Sequence, residues 1–316
     1  MRYFAGNSLA AFLRSGVSIT EVTTAGKYDS VYVPSAIFVP NTTDHVQTPT
    51  FSAAGTVWVR STINISYSSL MQSGFTPMSG VTSIFRLLQA TNTGIYQPQY
   101  WNGSAWTNTG ATFTLASTTN YIITVKIVLN TSFELYINGA PVSNGSGWTG
   151  GPTTMTHVRL AALGTNGTWY SEVMIADYDL RDSHLKTTAL DGNSAANTGG
   201  ASGVFGDINE TVLDEGTAVV VSTTTNKAGF SMAALTVPAG YIIAGLVVSA
   251  RGRVGGSITD GKLGVRGSSG TNSSGSGLTF NGGYEPRCRI LETDPDTAAK
   301  FTQAGYNAAE VYLEAV

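Results

Sequence analysis

The sequence predicts an all-β protein: an antiparallel sandwich or jelly roll, then a second, smaller antiparallel β-sandwich, with a short helix at the N terminus. Three observations carry this. Apolar and polar residues alternate over runs of strand length, and the runs recur at regular spacing. The turns between them are rich in Gly and Asn, and the chain holds 37 Gly in 316 residues. Charged residues make up 12% of the chain, against about 25% in ordinary soluble domains. Hydrophobic residues make up 42%, enough for a packed core, and the many β-branched and aromatic residues exclude a disordered chain.

Taken in order, "MRYFAGNSLAAFLRSG" predicts a short helix, with Asn7 or Ser8 as N-cap and Gly16 near its end. Its apolar run is too short and too interrupted for a signal peptide. Leu9, Phe12 and Leu13 share one helical face, which either packs on the body or docks onto a neighbouring subunit. Residues 1–28 thus form an N-terminal segment. From residue 29 to 190 strands dominate: "DSVYVPSAIFV" (29–39), "TVWVRSTINISYSS" (56–69), "TSIFRLLQATN" (82–92), "GIYQPQYWNGSAW" (94–106), "NYIITVKIVLNTSFELYINGAPVS" (120–143), "MTHVRLAALG" (155–164) and "TWYSEVMIADYDLR" (168–181). Asn102-Gly103 and Asn138-Gly139 favour type I′ hairpin turns. In "SFELYINGAPVS", alternation sends Phe133, Leu135 and Ile137 into the core. The Gly/Ser/Asn-rich stretch 191–206 predicts a linker. A second β unit follows over 207–316, with strands expected in 217–224, 228–237, 241–254, 261–269, 287–294 and 308–316 and a long loop over 266–283.

Charge and composition then remove several function classes. The net charge is −3 and no Lys/Arg-rich run exists, so neither nucleic acid nor an anionic membrane surface is an expected partner. No stretch is long and apolar enough to span a membrane. Cys288 stands alone, which precludes an internal disulfide and suits a small core residue. His45, His157 and His184 lack the spacing of a zinc site. The sequons at Asn64 and Asn166 are the chance product of a Ser/Thr/Asn-rich chain.

Carboxylate pairs need separate testing, because glycosidases place two carboxyls about 5–9.5 Å apart. The densest acidic stretch carries Glu172, Asp177, Asp179 and Asp182. Glu172 and Asp177 are five residues apart and point to opposite faces of a strand. Asp177 and Asp179 share a face with Arg181, which reads as a charged strand edge before a cation site or a catalytic pair. Asp207 and Glu210 read as turn caps. No nucleophile elbow and no phosphate loop is present. The expectation is a chain with no catalytic, cofactor-binding or metal-binding residue, and no enzyme. Tyr100, Trp101 and Trp106 flank a hairpin and are candidates for stacking on sugar rings, against packing in a core or a subunit contact.

"FELYINGAPVS" resembles the strand–turn–strand signature of laminin-G and concanavalin A-like jelly rolls, and the strand series over about residues 30–185 suits that fold. A second resemblance covers "WYSEVMIADYDLRDSHL", "GDINETVLDE" and the C-terminal "ILETDPDTAAKFTQAGYNAAEVYLEAV". Together these look like a virion protein family of tailed bacteriophages and prophages, whose members join a concanavalin-like domain to a C-terminal β domain. That domain ends in a pattern like "ETDPxTGxxWTxxxVNAxxxGV". Glu292-Thr293-Asp294-Pro295 and Asn307-Ala308 match it, while Phe301 stands at its Trp and Tyr312 at its final Gly.

The resemblance implies a non-enzymatic structural component of a virion, in a capsid decoration, tail, fibre or collar. Other virion proteins would be its partners, and the bacterial host cytoplasm its place of synthesis. Leu9, Phe12 and Leu13 would be its anchor. Many strand edges favour a homo-oligomer, with a trimer expected. The alternative is a carbohydrate-binding adhesin that meets a host surface glycan. A polysaccharide depolymerase ranks last.

Overall fold

A computed structural model of the chain describes residues 2–16, 18–41, 43–66, 75–89, 94–163, 166–198, 201–202, 218–256, 258–280 and 282–316. Asp207, Glu210 and the 203–206 end of the expected linker lie outside the described residues. The chain divides into two compact units, residues 1–187 and 188–316. Both are built from antiparallel sheets.

In the first unit the largest sheet has eight strands. Its order is Ala140–Ser146, Ser132–Ile137, Asn120–Val128, Thr56–Ile65, Thr168–Ala176, Ala36–Val39 and Thr20–Val22, with Arg2–Gly6 also on Thr168–Ala176. A five-stranded sheet (Leu13–Ser15, His45–Gln47, His157–Ala161, Phe75–Ser79, Thr82–Ser83) and a four-stranded one supply the opposing layer. The four-stranded sheet orders Phe85–Gln89, Ile95–Trp101 and Trp106–Asn108, with Phe113–Thr114 also on Ile95–Trp101. Contacts between the layers define the core. Phe85 meets Phe133 with ring centroids 5.1 Å apart, and the buried Tyr170 hydroxyl donates to the Ala161 carbonyl at 2.6 Å. This is the expected jelly-roll sandwich.

Alternation explains what each strand buries. Phe133 and Leu135 are almost fully buried, and Ile137 is half-buried at the strand end. Asn138 and Gly139 take φ of 51° and 80°, the left-handed pair a type I′ turn needs. On the Thr56–Ile65 strand both faces are buried. Val57, Val59 and Ile63 enter the sandwich core. Trp58, Arg60, Thr62 and Asn64 point the other way, where residues 26–32 and 177–185 cover them. Arg181 lies over the Trp58 and Tyr136 rings, His184 contacts Arg60, and Lys27 contacts Asn64.

The N-terminal segment departs from expectation. In place of a helix there is a strand, Arg2–Gly6, one 3-10 turn at Leu9–Ala11, and a strand at Leu13–Ser15. Phe4 and Phe12 meet edge to face at 5.1 Å, and long-range pairing with Val173–Ala176 outweighs the local helical spacing. Residues 1–28 are therefore woven into the first unit.

The second unit has a six-stranded sheet, ordered Leu190–Asn193, Lys227–Met232, Glu310–Ala315, Asp260–Arg266 and Asn272–Ser274, with Leu278–Thr279 also on Asp260–Arg266. Leu246–Gly252 pairs with Glu285–Leu291, and Ala201–Ser202 with Val220–Val221. Phe230, Leu263, Val265, Leu291, Phe301 and Val311 fill its core. The expected linker begins as a sheet strand, because Gly192 and Asn193 pair through their backbones with Ser231 and Phe230. Two further strands lie within the expected 266–283 loop.

The C-terminal pattern serves this unit's structure. Thr302 caps the Gln303–Ala308 helix by accepting from the Gly305 N–H, and Asn307 both accepts from and donates to the Leu235 backbone. Phe301 and Tyr312 are buried, so the departures from the pattern are core choices. Ala298 stands where the pattern has Gly and adopts a φ of 55°, a region costly for any residue with a Cβ. Ala298→Gly is therefore expected to stabilise the protein by about 0.5–1 kcal/mol in urea unfolding, even though Gly loses more chain entropy.

Candidate functional site

Two clusters of polar and aromatic side chains stand out, and strand geometry builds both. The first lies on the four-stranded sheet of the first unit. Register pairs Trp101 with Trp106, Gln99 with Asn108 and Arg86 with Gln99. Directly paired residues share a face, as do residues two apart on a strand. Arg86, Gln99, Trp101, Trp106 and Asn108 therefore lie on one face, directed away from the core.

On that face the contacts are continuous. The Trp101 and Trp106 rings meet at 71° with centroids 5.7 Å apart, and both residues are half-buried. The Arg86 guanidinium sits 4.0 Å from the centre of the Trp106 ring. Its Nε donates to Gln99 Oε1 at 2.7 Å, and Gln99 Nε2 donates to Asn108 Oδ1 at 2.7 Å. Burial alone lowers the Arg86 pKa from its ordinary value; no charged group is among the causes.

The loop at the end of this platform is fixed by backbone chemistry. Asn102–Ala105 spans it in place of a two-residue type I′ turn. Asn102 Oδ1 accepts from the backbone N–H groups of Ser104 and Ala105, and Gly103 alone takes a positive φ, of 94°. A Cβ on Gly103 would stand 2.5 Å from the Gly150 carbonyl oxygen, so this close approach needs glycine.

Tyr100 belongs elsewhere. Alternation turns it to the opposite face, where it stacks on Trp148 at 5.0 Å and 9°. Trp148 is buried and also stacks on Phe133 and Phe85. Of the three sequence candidates, Trp101 and Trp106 thus share the outer platform and Tyr100 joins the core cluster. Leu9 and Phe12 are buried inside the first unit, and Leu13 is half-buried on a strand paired with His45–Gln47. They present no continuous apolar face for an anchor.

The second cluster surrounds Glu172, whose carboxylate is almost fully buried. Glu172 Oε1 lies 3.4 Å from Arg60 Nη1 and 3.2 Å from His184 Nδ1, and Oε2 accepts from the Thr62 hydroxyl at 2.8 Å. The Leu185 N–H donates to Oε1, and the Glu172 N–H donates to Asn7 Oδ1 at 2.9 Å. Tyr32 stacks on His184 at 3.8 Å. Glu172 sits in a break of the strand register between Ser171 and Met174, with a φ of 50°. Burial raises its pKa, but His184, Arg60 and Thr62 together outweigh burial and hold it below 4.5. Four contacts, from Arg60, His184, Thr62 and Leu185, saturate this carboxylate, which leaves it no open side for chemistry.

Of the remaining carboxylates of that stretch, Asp179 has an arginine partner. Asp179 is held by Arg181 through Nε, at 3.0 and 2.8 Å. Among the described residues no group of three His, Cys, Asp or Glu could hold a metal ion, and no helix is long and apolar enough to cross a membrane. Cys288 is partly buried, which pushes its thiol up to about 11 and far from reactivity.

No family model matches the chain, and no curated protein matches it. Solved structures match about half of it at low similarity. The T. cruzi calreticulin globular domain is 9% identical over 57% of this chain and 89% of its own, with a TM-score of 0.43. A cellulose-induced protein is 16% identical over 55% and 94%, with a TM-score of 0.42. A carbohydrate-binding module from Bacillus subtilis is 9% identical over 55% and 98%, with a TM-score of 0.37. Likeness at this level carries no argument about this chain.

Sequence reasoning missed Arg86, Gln99 and Asn108. Alternation within "QYW" and "WTN" puts Gln99 beside Trp101 and Asn108 beside Trp106, so those two had a signal. Arg86 had none, because only the cross-strand register brings it in.

Breaking the Glu172 cluster leaves Arg60 charged and buried, so Glu172→Gln is expected to cost about 3–5 kcal/mol in denaturant unfolding. The lowered pKa of Glu172 fixes the sign of its pH dependence. Its stabilisation is present above the ordinary value of 4.5 and is lost as pH falls through the lower folded value. Stability of the wild type against unfolding should therefore fall across that acid range, and the Gln variant should show a shallower slope.

Proposed function

We propose that this chain is a non-enzymatic carbohydrate-binding protein that meets a glycan with the outer platform of its jelly roll. One observation carries the reading: Trp101 and Trp106 stand half-exposed on a sheet face, joined to a fixed row of polar groups from Arg86, Gln99 and Asn108. Sugar rings present apolar C–H faces edged by hydroxyls. An indole offers area to the first, and the amides and guanidinium offer hydrogen bonds to the second. A flat, prearranged surface loses little side-chain freedom on binding.

The C-terminal resemblance supports a second, compatible reading, in which the chain is a structural component of a bacteriophage virion and the platform faces a host surface. Glu292-Thr293-Asp294-Pro295 and Asn307-Ala308 carry it. In that setting the chain is a homo-oligomer, and a trimer is our expectation.

Two measurements test these readings. On a glycan array the intact protein should give a sugar signal, and Trp101→Ala and Trp106→Ala should each weaken it about tenfold. An array with no signal would end the glycan reading. Light scattering should give a mass three times the 33.0 kDa chain; a monomer at micromolar concentration would end the oligomer reading.

A further inference from the structure

We propose that the glycan taken by this platform is acidic, bearing a carboxylate or sulfate that docks on the outer edge of the Arg86 guanidinium. This deepens the glycan reading and rests on it.

Arg86 differs from the arginines of the chain that meet a carboxylate. Arg60 pairs with Glu172, Arg181 with Asp179, Arg266 with Glu310 and Arg287 with Glu285. Arg86 is half-buried, yet among the described residues no carboxylate lies within salt-bridge distance of it. Among the described residues its hydrogen bond uses Nε, and its guanidinium lies over the Trp106 face. Nη1 and Nη2 therefore keep four N–H donors without an acceptor among the described residues. Taking a cation partly out of water is costly unless an anion meets it.

The orientation of these donors is also fixed. Gln99 holds Nε from one side, the Trp106 ring holds the guanidinium plane, and Asn108 in turn holds the Gln99 amide. A guanidinium locked in this way presents the two-pronged edge that matches a carboxylate or sulfate. The prearranged edge lies beside the Trp106 indole, which meets that of Trp101, so one ligand can stack a ring on tryptophan and place its acid group on Arg86. A neutral sugar would leave that cation unpaired in a drier site. The net charge of −3 opposes a general attraction for polyanions, so the preference must come from this local contact.

The test uses the full chain and an array in which each neutral oligosaccharide is printed beside its uronic-acid, sialylated or sulfated counterpart. Hits are then titrated in solution, with inorganic sulfate as competitor. An acidic sugar should bind about tenfold or more tightly than its neutral counterpart. Raised salt should shrink the preference. Arg86→Gln should erase it, weakening acidic sugars about tenfold more than their neutral counterparts, and Arg86→Lys should keep only part of it. Melting temperature serves as the folding control for each variant. Trp101→Ala should weaken both kinds of sugar.

Equal binding of acidic and neutral counterparts overturns the acidic-ligand inference and leaves the glycan reading standing. So does an Arg86→Gln variant that weakens both alike. Inorganic sulfate that binds as tightly as the acidic sugar, and that ignores Trp101→Ala, overturns it as an anion site without a sugar. An array silent for both kinds of sugar overturns both readings.

Discussion

The buried contact between Arg60 and Glu172 organises the first unit. It joins the two central strands of the large sheet at the point where their register breaks, on the face turned away from the sandwich core. A charge there cannot be left alone, so the structure gathers partners around it. His184, Thr62, Leu185 and Asn7 all turn toward Glu172. Their arrival covers a sheet face that carries Trp58, Thr62 and Asn64 and would otherwise be wet. An apolar pair of similar size can be equally stable, but it would not select this register or this covering segment. The ion pair acts as a locator: it fixes where each neighbouring segment must lie.

The platform depends on a different constraint, the pairing of three short strands. A one-residue slip of Trp106–Asn108 would send both indole and amide to the inner face. The Asn102–Ala105 loop prevents that slip, with Asn102 closing the loop through its own side chain and Gly103 pressed on the Gly150 carbonyl. The inner face adds its own hold through the stack of Tyr100, Trp148 and Phe133. Adjacent residues of one strand, Tyr100 and Trp101, thus do opposite tasks, one fixing the strand and one facing outward.

How much of this was legible in the sequence follows from which interactions are local. Alternation is local, so the burial of Phe133 and Leu135 and the outward pairing of Gln99 with Trp101 can be read from single strands. The Asn138-Gly139 turn is local as well. The N terminus misleads because Leu9, Phe12 and Leu13 sit at helical spacing while their partners lie far along the chain. The stretch from residue 191 misleads in the opposite sense: Gly and Asn pack poorly, but their backbones can still complete a sheet. Arg86 was invisible because register is a property of two strands, and the cluster around Glu172 was invisible because Arg60, Thr62 and Asn7 lie far from it along the chain. The C-terminal pattern was legible as a pattern, yet its residues cap, pin and fill the second unit and say nothing about the platform.

The pairing of Arg2–Gly6 with Thr168–Ala176 has a further consequence for how the chain reaches its native state. Asn7 and Glu172 are 165 residues apart, and the central Thr56–Ile65 strand also gains one of its two neighbours from that late segment. On a ribosome the early strands emerge long before the strand that completes them. The first unit cannot close step by step; it waits, with open strand edges, for Thr168–Ala176 to appear. Synthesis speed and chaperone supply in the producing cell should therefore limit the yield of this protein more than its final stability does.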